Sequence, residues 1–123
     1  MEIKNSSGLI IARYPGTTLV GADLRQFNLT AADFRGLDLR EVNLEHGHCR
    51  EADFSGANLS GACLVYVQCH NAKFVGANLD RADLERGRFN GADFTGANWK
   101  NARLFQAKFA GATFPDGQKM EIE

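Results

Sequence analysis

The chain is poor in the residues that mark most functional classes. Only two prolines, Pro15 and Pro115, stand among 123 residues, and the thirteen glycines are scattered, so no linker divides the chain and one domain is expected. Cysteine is scarce and odd in number. Cys49, Cys63 and Cys69 match neither a zinc-finger nor a CxxC spacing, which argues against a disulfide framework. Neither charge dominates: fifteen acids against fourteen bases leave a net charge of −1, whereas a polyanion binder announces itself by an excess of base. No apolar run approaches the ~20 residues that span a bilayer, and the start, MEIKNSS, lacks the apolar stretch of a secretory signal. The expectation is a soluble, cytoplasmic protein with neither nucleic acid nor membrane among its partners.

What the chain has in abundance is self-similarity at five residues: GADLR, AADFR, EADFS, GANLS, GANLD, RADLE, GADFT, GANWK. With the large residue of each unit as its centre, centres fall at 19, 24, 29 and onward to 114 without an insertion: ten Leu, seven Phe, two Cys and one Trp. Two residues before the centre, thirteen of twenty positions are Ala. A five-residue period suits neither regular element. On a helix, residues five apart are rotated by ~140° and form no stripe. On a flat strand they alternate faces. All centres reach one interior only if the chain turns after every unit, with the Ala and the centre pointing in and the Asp or Asn between them pointing out.

A longer period sets the number of sides. Phe34, Phe54, Phe74, Phe94 and Phe114 recur at twenty, as do Leu24, Leu44, Leu64, Leu84 and Leu104. A three-sided coil would need a repeat of fifteen, which instead takes Phe34 to Cys49 and Leu64. Four sides and five coils are expected over 17–116, as an all-β, parallel β-helix. Sides of ~10 Å and a rise of ~4.8 Å per coil give a column ~24 Å tall. Residues 1–16 then form an N-terminal cap and 117–123 a tail. In the cap, Leu9 to Tyr14 reads as a strand laid over the first coil, with Pro15-Gly16 as its turn.

Units such as GADLR and GANLD resemble the pentapeptide repeat proteins, over residues 17–116. The resemblance implies a right-handed quadrilateral β-helix and a non-enzymatic structural or protein-interaction role. Some members carry a strongly acidic face, imitate a DNA duplex and occupy type II topoisomerases, so a gyrase-binding DNA mimic is the alternative. Here Lys73 breaks the column Asp33, Asp53, Asp93. One column departs from the norm, with Phe27/Leu29, Gly47/Cys49, Val67/Cys69, Gly87/Phe89 and Ala107/Phe109 in place of Ala with Leu or Phe.

That column contains HGHC, 46–49, the one stretch that looks like a set of metal ligands. The register sends Cys49 inward and His46 and His48 outward, so the three cannot share an ion; no metal or cofactor is expected. Gly47 is read as making room for Phe27 of the preceding coil. Cys49 and Cys69 stack as reduced, soft fillers, and Cys63 is the outward thiol. No catalytic constellation assembles: there is no nucleophile with a base, no pair of inward carboxylates and no phosphate loop. Outward apolar residues point to a partner instead. Val65 and Phe105 share a column, with Tyr66 beside the first and Glu85 interrupting them, and form a candidate partner-binding patch. Solenoid ends must also be closed. Trp99, Phe109 and Phe114 crowd the C-terminal coil under a short tail carrying Met120 and Ile122, so this end is expected to pair with a second copy.

Overall fold

The computed structural model describes residues 1–117. The expected plug by Met120 and Ile122 lies outside the described residues.

Each unit ends in a four-residue turn closed by its centre. The Leu19 carbonyl accepts from the Ala22 N–H at 3.0 Å, Leu29 from Ala32 at 3.0 Å, and Phe54 from Ala57 at 2.9 Å. In most of these turns the third residue has positive φ, +67° at Gly76, which marks a type II turn and favours glycine there. The same conformation is imposed on side-chain-bearing residues, with φ of +57° at His46 and Tyr66 and +59° at Arg86. The outward Asp or Asn ties the turn from outside. Its side-chain oxygen accepts the N–H two residues on, as from Thr30 to Asn28 at 3.1 Å and from Ser55 to Asp53 at 2.9 Å, the short-range bonding for which Asx residues suit turns.

Between turns the backbone pairs with the coils above and below through parallel bridges that always join residue n to n + 20, from Asp23 with Asn43 to Asp93 with Thr113. Leu24 N–H donates to the Asn43 carbonyl at 3.0 Å, and Asn43 N–H returns to Ala22 at 2.9 Å. The cross-section is therefore four-sided. Each side is a single bridge between corners, shorter than a regular strand. The winding is right-handed, as parallel crossovers are.

The interior is filled with hydrocarbon. Phe34, Phe54, Phe74 and Phe94 are wholly buried and stack with ring centroids 5.1, 4.9 and 4.8 Å apart. No polar or charged residue is buried among the described residues. At the C-terminal end the stacking gives way to edge-to-face packing of Trp99, Phe109 and Phe114, at centroid distances of 5.6 to 5.8 Å.

The N-terminal cap differs from the sequence expectation. Two strands, β1 (Glu2–Lys4) and β2 (Ile10–Arg13), form an antiparallel hairpin. Its turn is held by the Asn5 side chain, which accepts the N–H groups of Ser7 and Leu9 at 2.9 and 3.0 Å. The segment laid on the first coil is the end of β1. The Lys4 carbonyl accepts from Asp33 N–H at 2.7 Å, and Asn5 pairs with Ala32. Ile3 is the plug at 3% exposure, while Leu9 is 65% exposed. The expected strand within residues 9–14 is present as β2, and its Ile11 and Ala12, with Tyr14, are partly buried against the core, but the opening itself is filled by Ile3 of β1.

Candidate functional site

The corner following Leu44, Leu64, Leu84 and Leu104 presents the residues singled out for partner binding. Tyr66 and Phe105 are 46% and 58% exposed, and Val65 is half-buried. Their turns fix them rigidly: Tyr66 sits at positive φ, and its N–H donates to the Glu85 carbonyl at 3.1 Å. Glu85 does not interrupt the patch as expected. Its carboxylate is drawn aside to Arg103 at 3.2 Å and is largely covered. Arg86 takes the space between the rings, its guanidinium 5.9 Å from the Tyr66 ring centre and 5.3 Å from that of Phe105. On the other side of Tyr66, His46 lies parallel at 4.9 Å. His46, Tyr66, Arg86 and Phe105 therefore form one continuous ladder, held by dispersion and cation–π attraction.

Arg86 and Gln106 were missed by a reading that looked for apolar residues alone. Arg86 Nε donates to Gln106 Oε1 at 3.0 Å, which fixes the plane of the guanidinium. A shallow groove runs beside the ladder, lined by Tyr66, Arg86, Arg88, Gln106, Ala107 and Lys108. Reading the outward positions at intervals of twenty, as was done for the centres, would have found it: 48, 68, 88 and 108 hold His, Gln, Arg and Lys where the other sides favour Asp or Asn.

The HGHC residues stand where the pleat sends them, with Cys49 fully buried and His46 and His48 exposed. Among the described residues no group of three His, Cys, Asp or Glu is placed to hold a metal ion. The reason for glycine at 47 is not Phe27. A Cβ there would lie 2.7 Å from the Leu44 carbonyl oxygen. Crowding by an aromatic ring operates at Gly87 instead, where a Cβ would come within 2.3 Å of the Phe89 ring. Cys49 and Cys69 are free thiols in contact within the core, and burial pushes the Cys69 thiol far above its ordinary range. Cys63 takes an Asx position, and burial raises its pKa too, so its reactive thiolate is suppressed.

His70 sits on the same wall, and its Nδ1 is buried without a hydrogen-bond partner. Burial lowers its pKa, and the nearby Arg50 and Arg88 add to the effect. At the C-terminal end Phe109 is buried, while Trp99 and Phe114 are half-buried.

The family described as Pentapeptide repeats matches residues 16–45, 52–91 and 88–116, in 8 copies. Among solved structures, the chain is similar to HetL, a pentapeptide repeat protein involved in heterocyst differentiation regulation from the cyanobacterium Nostoc sp. strain PCC 7120, with a TM-score of 0.76 and 28% identity over 90% of the chain. The chain spans about half of that protein, 52% of its length. It is also similar to Rfr23, a pentapeptide repeat protein from the cyanobacterium Cyanothece 51142, with a TM-score of 0.71 and 27% identity over 88% of this chain and 74% of that one. No curated protein matches the sequence.

Proposed function

The chain belongs to the pentapeptide repeat family, and on that premise we propose that it is a cytoplasmic protein-interaction module whose partner docks on the corner built by Val65, Tyr66 and Phe105. The family consists in general of non-enzymatic structural and interaction proteins. The observation that carries the reading is the ladder. Two aromatic rings, 46% and 58% exposed, stand on turns, Tyr66 clamped between His46 and Arg86 and Phe105 held from one side by Arg86. Pre-ordered aromatic anchors lose little entropy on binding, which is why they dominate interface energies. The involvement of HetL in heterocyst differentiation regulation accords with such a module. A pull-down from host cytosol with wild type and with Tyr66→Glu plus Phe105→Glu tests it: one specific partner is lost from the double variant. Unchanged capture would move the interface elsewhere.

Two further surfaces are tested alongside. The C-terminal coil is proposed to pair with a second copy, because Trp99 and Phe114 are half-buried whereas their counterparts Leu79 and Phe94 are wholly buried. A sedimentation profile showing only monomer at high micromolar concentration removes that proposal. The DNA-mimic alternative requires inhibition of gyrase supercoiling. With Lys73 paired in ladder between Asp53 and Asp93, the expected result is no inhibition.

A further inference from the structure

The outward positions at 26, 28 and 30, and at every twentieth residue from them, form one wall of the tube. No Asp or Glu stands at any of them. The wall holds Arg50, Arg86, Arg88 and Lys108, together with all three histidines of the chain. Coils 17–116 contain twelve acids and eleven bases in all, so the other three walls keep twelve acids and only seven bases. The near-neutral total conceals a segregated surface.

The three arginines of the wall are also unspent. Arginines elsewhere are committed to neighbouring carboxylates, Arg25 to Asp23 at 2.8 Å, Arg35 to Asp33 at 2.9 Å and Arg40 to Asp38 at 2.7 Å. Arg50, Arg86 and Arg88 meet no carboxylate among the described residues; Arg50 donates to Gln68 at 3.2 Å and Arg86 to Gln106 at 3.0 Å. Arg86 lies between two rings with its Nε bonded to Gln106, and its terminal nitrogens make no hydrogen bond among the described residues. A guanidinium fixed in this way presents its fork for bidentate capture of a carboxylate, with its ordering cost already met on folding.

We propose that this wall binds an extended acidic segment, rich in Asp and Glu, of a partner protein, with carboxylates seated on Arg86 and Arg88 beside the Tyr66–Phe105 corner. This rests on the interaction-module reading and names the chemistry of the partner. Two features favour a peptide over nucleic acid. The faces of Tyr66 are taken by His46 and Arg86, so the ring at the centre of the ladder offers no face on which a base could stack. The basic strip is one side wide, ~10 Å, and is bordered by Glu45 and Glu85 along one edge and Glu51 along the other. A single extended chain fits within such a strip, whereas a duplex would overlie the flanking carboxylates.

Fluorescence anisotropy on the full chain tests this with a fluorescein-labelled peptide of alternating Glu and Ser, a matched Gln-Ser peptide and a labelled oligothymidylate. The Glu-Ser peptide binds, more weakly as salt rises, and the Gln-Ser peptide does not. Arg86→Gln with Arg88→Gln weakens binding by about tenfold or more. Arg81→Gln with Lys100→Gln, equal in charge change but on other walls, leaves it unaltered. Arg86→Lys, which keeps the charge and loses the fork, falls between. Equal losses from the two Gln pairs, tighter binding of the oligothymidylate, or no binding of the Glu-Ser peptide would overturn the inference. Should the Tyr66→Glu plus Phe105→Glu variant lose its partner while the acidic peptide fails to bind, the module reading stands and only the acidic partner falls.

Discussion

A residue in this fold is defined by which way its unit turns it, and substitutions sort by that alone. Phe74 is wholly buried, stacked between Phe54 and Phe94 at 4.9 and 4.8 Å, and neither neighbour can move to refill a hole without breaking its own stack. Phe74→Ala is expected to cost about 3–5 kcal/mol. Arg50→Ala, on the exposed skin, should change stability by no more than about 0.5 kcal/mol. Urea denaturation of both variants checks the contrast. Arg50 has another measurable effect, on His70. Burial holds the imidazole below its ordinary pKa, and the guanidinium charges of Arg50 and Arg88, which face it from the coils on either side, lower it further. A folded-state pKa below the unfolded one means that the unfolded chain takes up the proton first. Stability therefore declines as pH falls through ~6.5, the unfolded histidine value, toward the lower folded value. Arg50→Ala should raise the His70 pKa, read from its ring proton shifts in an NMR titration, and shrink that decline. An unmoved His70 would show burial acting alone.

The repeated element is a unit of one bridge and one turn, and its legibility in the sequence was uneven for a physical reason. Centres and Ala positions were readable because an interior tolerates few side chains, so Leu or Phe fills seventeen of the twenty centres from 19 to 114 and Ala thirteen of the twenty positions two residues before them. Outward positions carry no such packing constraint. The Arg86 clamp and the acid-free wall therefore emerged only once the coils were stacked and residues twenty apart became neighbours. Of the cap hairpin only β2 was legible; β1 was missed because Glu2–Lys4 is too short to show an alternation, while the louder apolar run at 9–11 drew the whole lid to itself. The unit also carries its own pH dependence. Asp23 accepts both its turn N–H, from Arg25, and the Arg25 guanidinium, whose hydrogen bonds are the main cause lowering its pKa to about 2. Asp33 and Asp38 are lowered chiefly by Arg35 and Arg40 in the same way. Depressed carboxylate values stabilise the fold above the unfolded pKa of ~4, and that stabilisation is lost as pH falls toward ~2. All three pairs lie in the first two coils. Hydrogen exchange followed from pH ~5 down to ~2 should show those coils loosening before the last two. Arg25→Gln, Arg35→Gln and Arg40→Gln combined should flatten the difference.

At the scale of the molecule the fold is a stack in which each coil touches only the coils next to it, through bridges spaced by twenty residues. Such an array has no distant contacts to hold an end that opens, so its stability depends on closure of the first and last rings. At the N-terminus that closure is narrow. Ile3 is the one side chain of β1 that is buried, and the Lys4 and Asn5 bonds to Asp33 and Ala32 pair the first coil's upper edge. Ile3→Ala removes the plug at a cost of about 2–5 kcal/mol, and the damage should be graded. Amides of the first coil, such as Leu24, Leu29 and Phe34, lose exchange protection most, those near Leu64 less, and those of the fourth coil least. The freed edge is also a template for another chain, so the variant should associate with rising concentration in sedimentation where the wild type does not do so through this end. Uniform loss of protection from Leu24 to Phe94 would instead show that the coils unfold as one cooperative unit, with the continuous phenylalanine stack from Phe34 to Phe94 coupling rings that the backbone ladders join only in pairs.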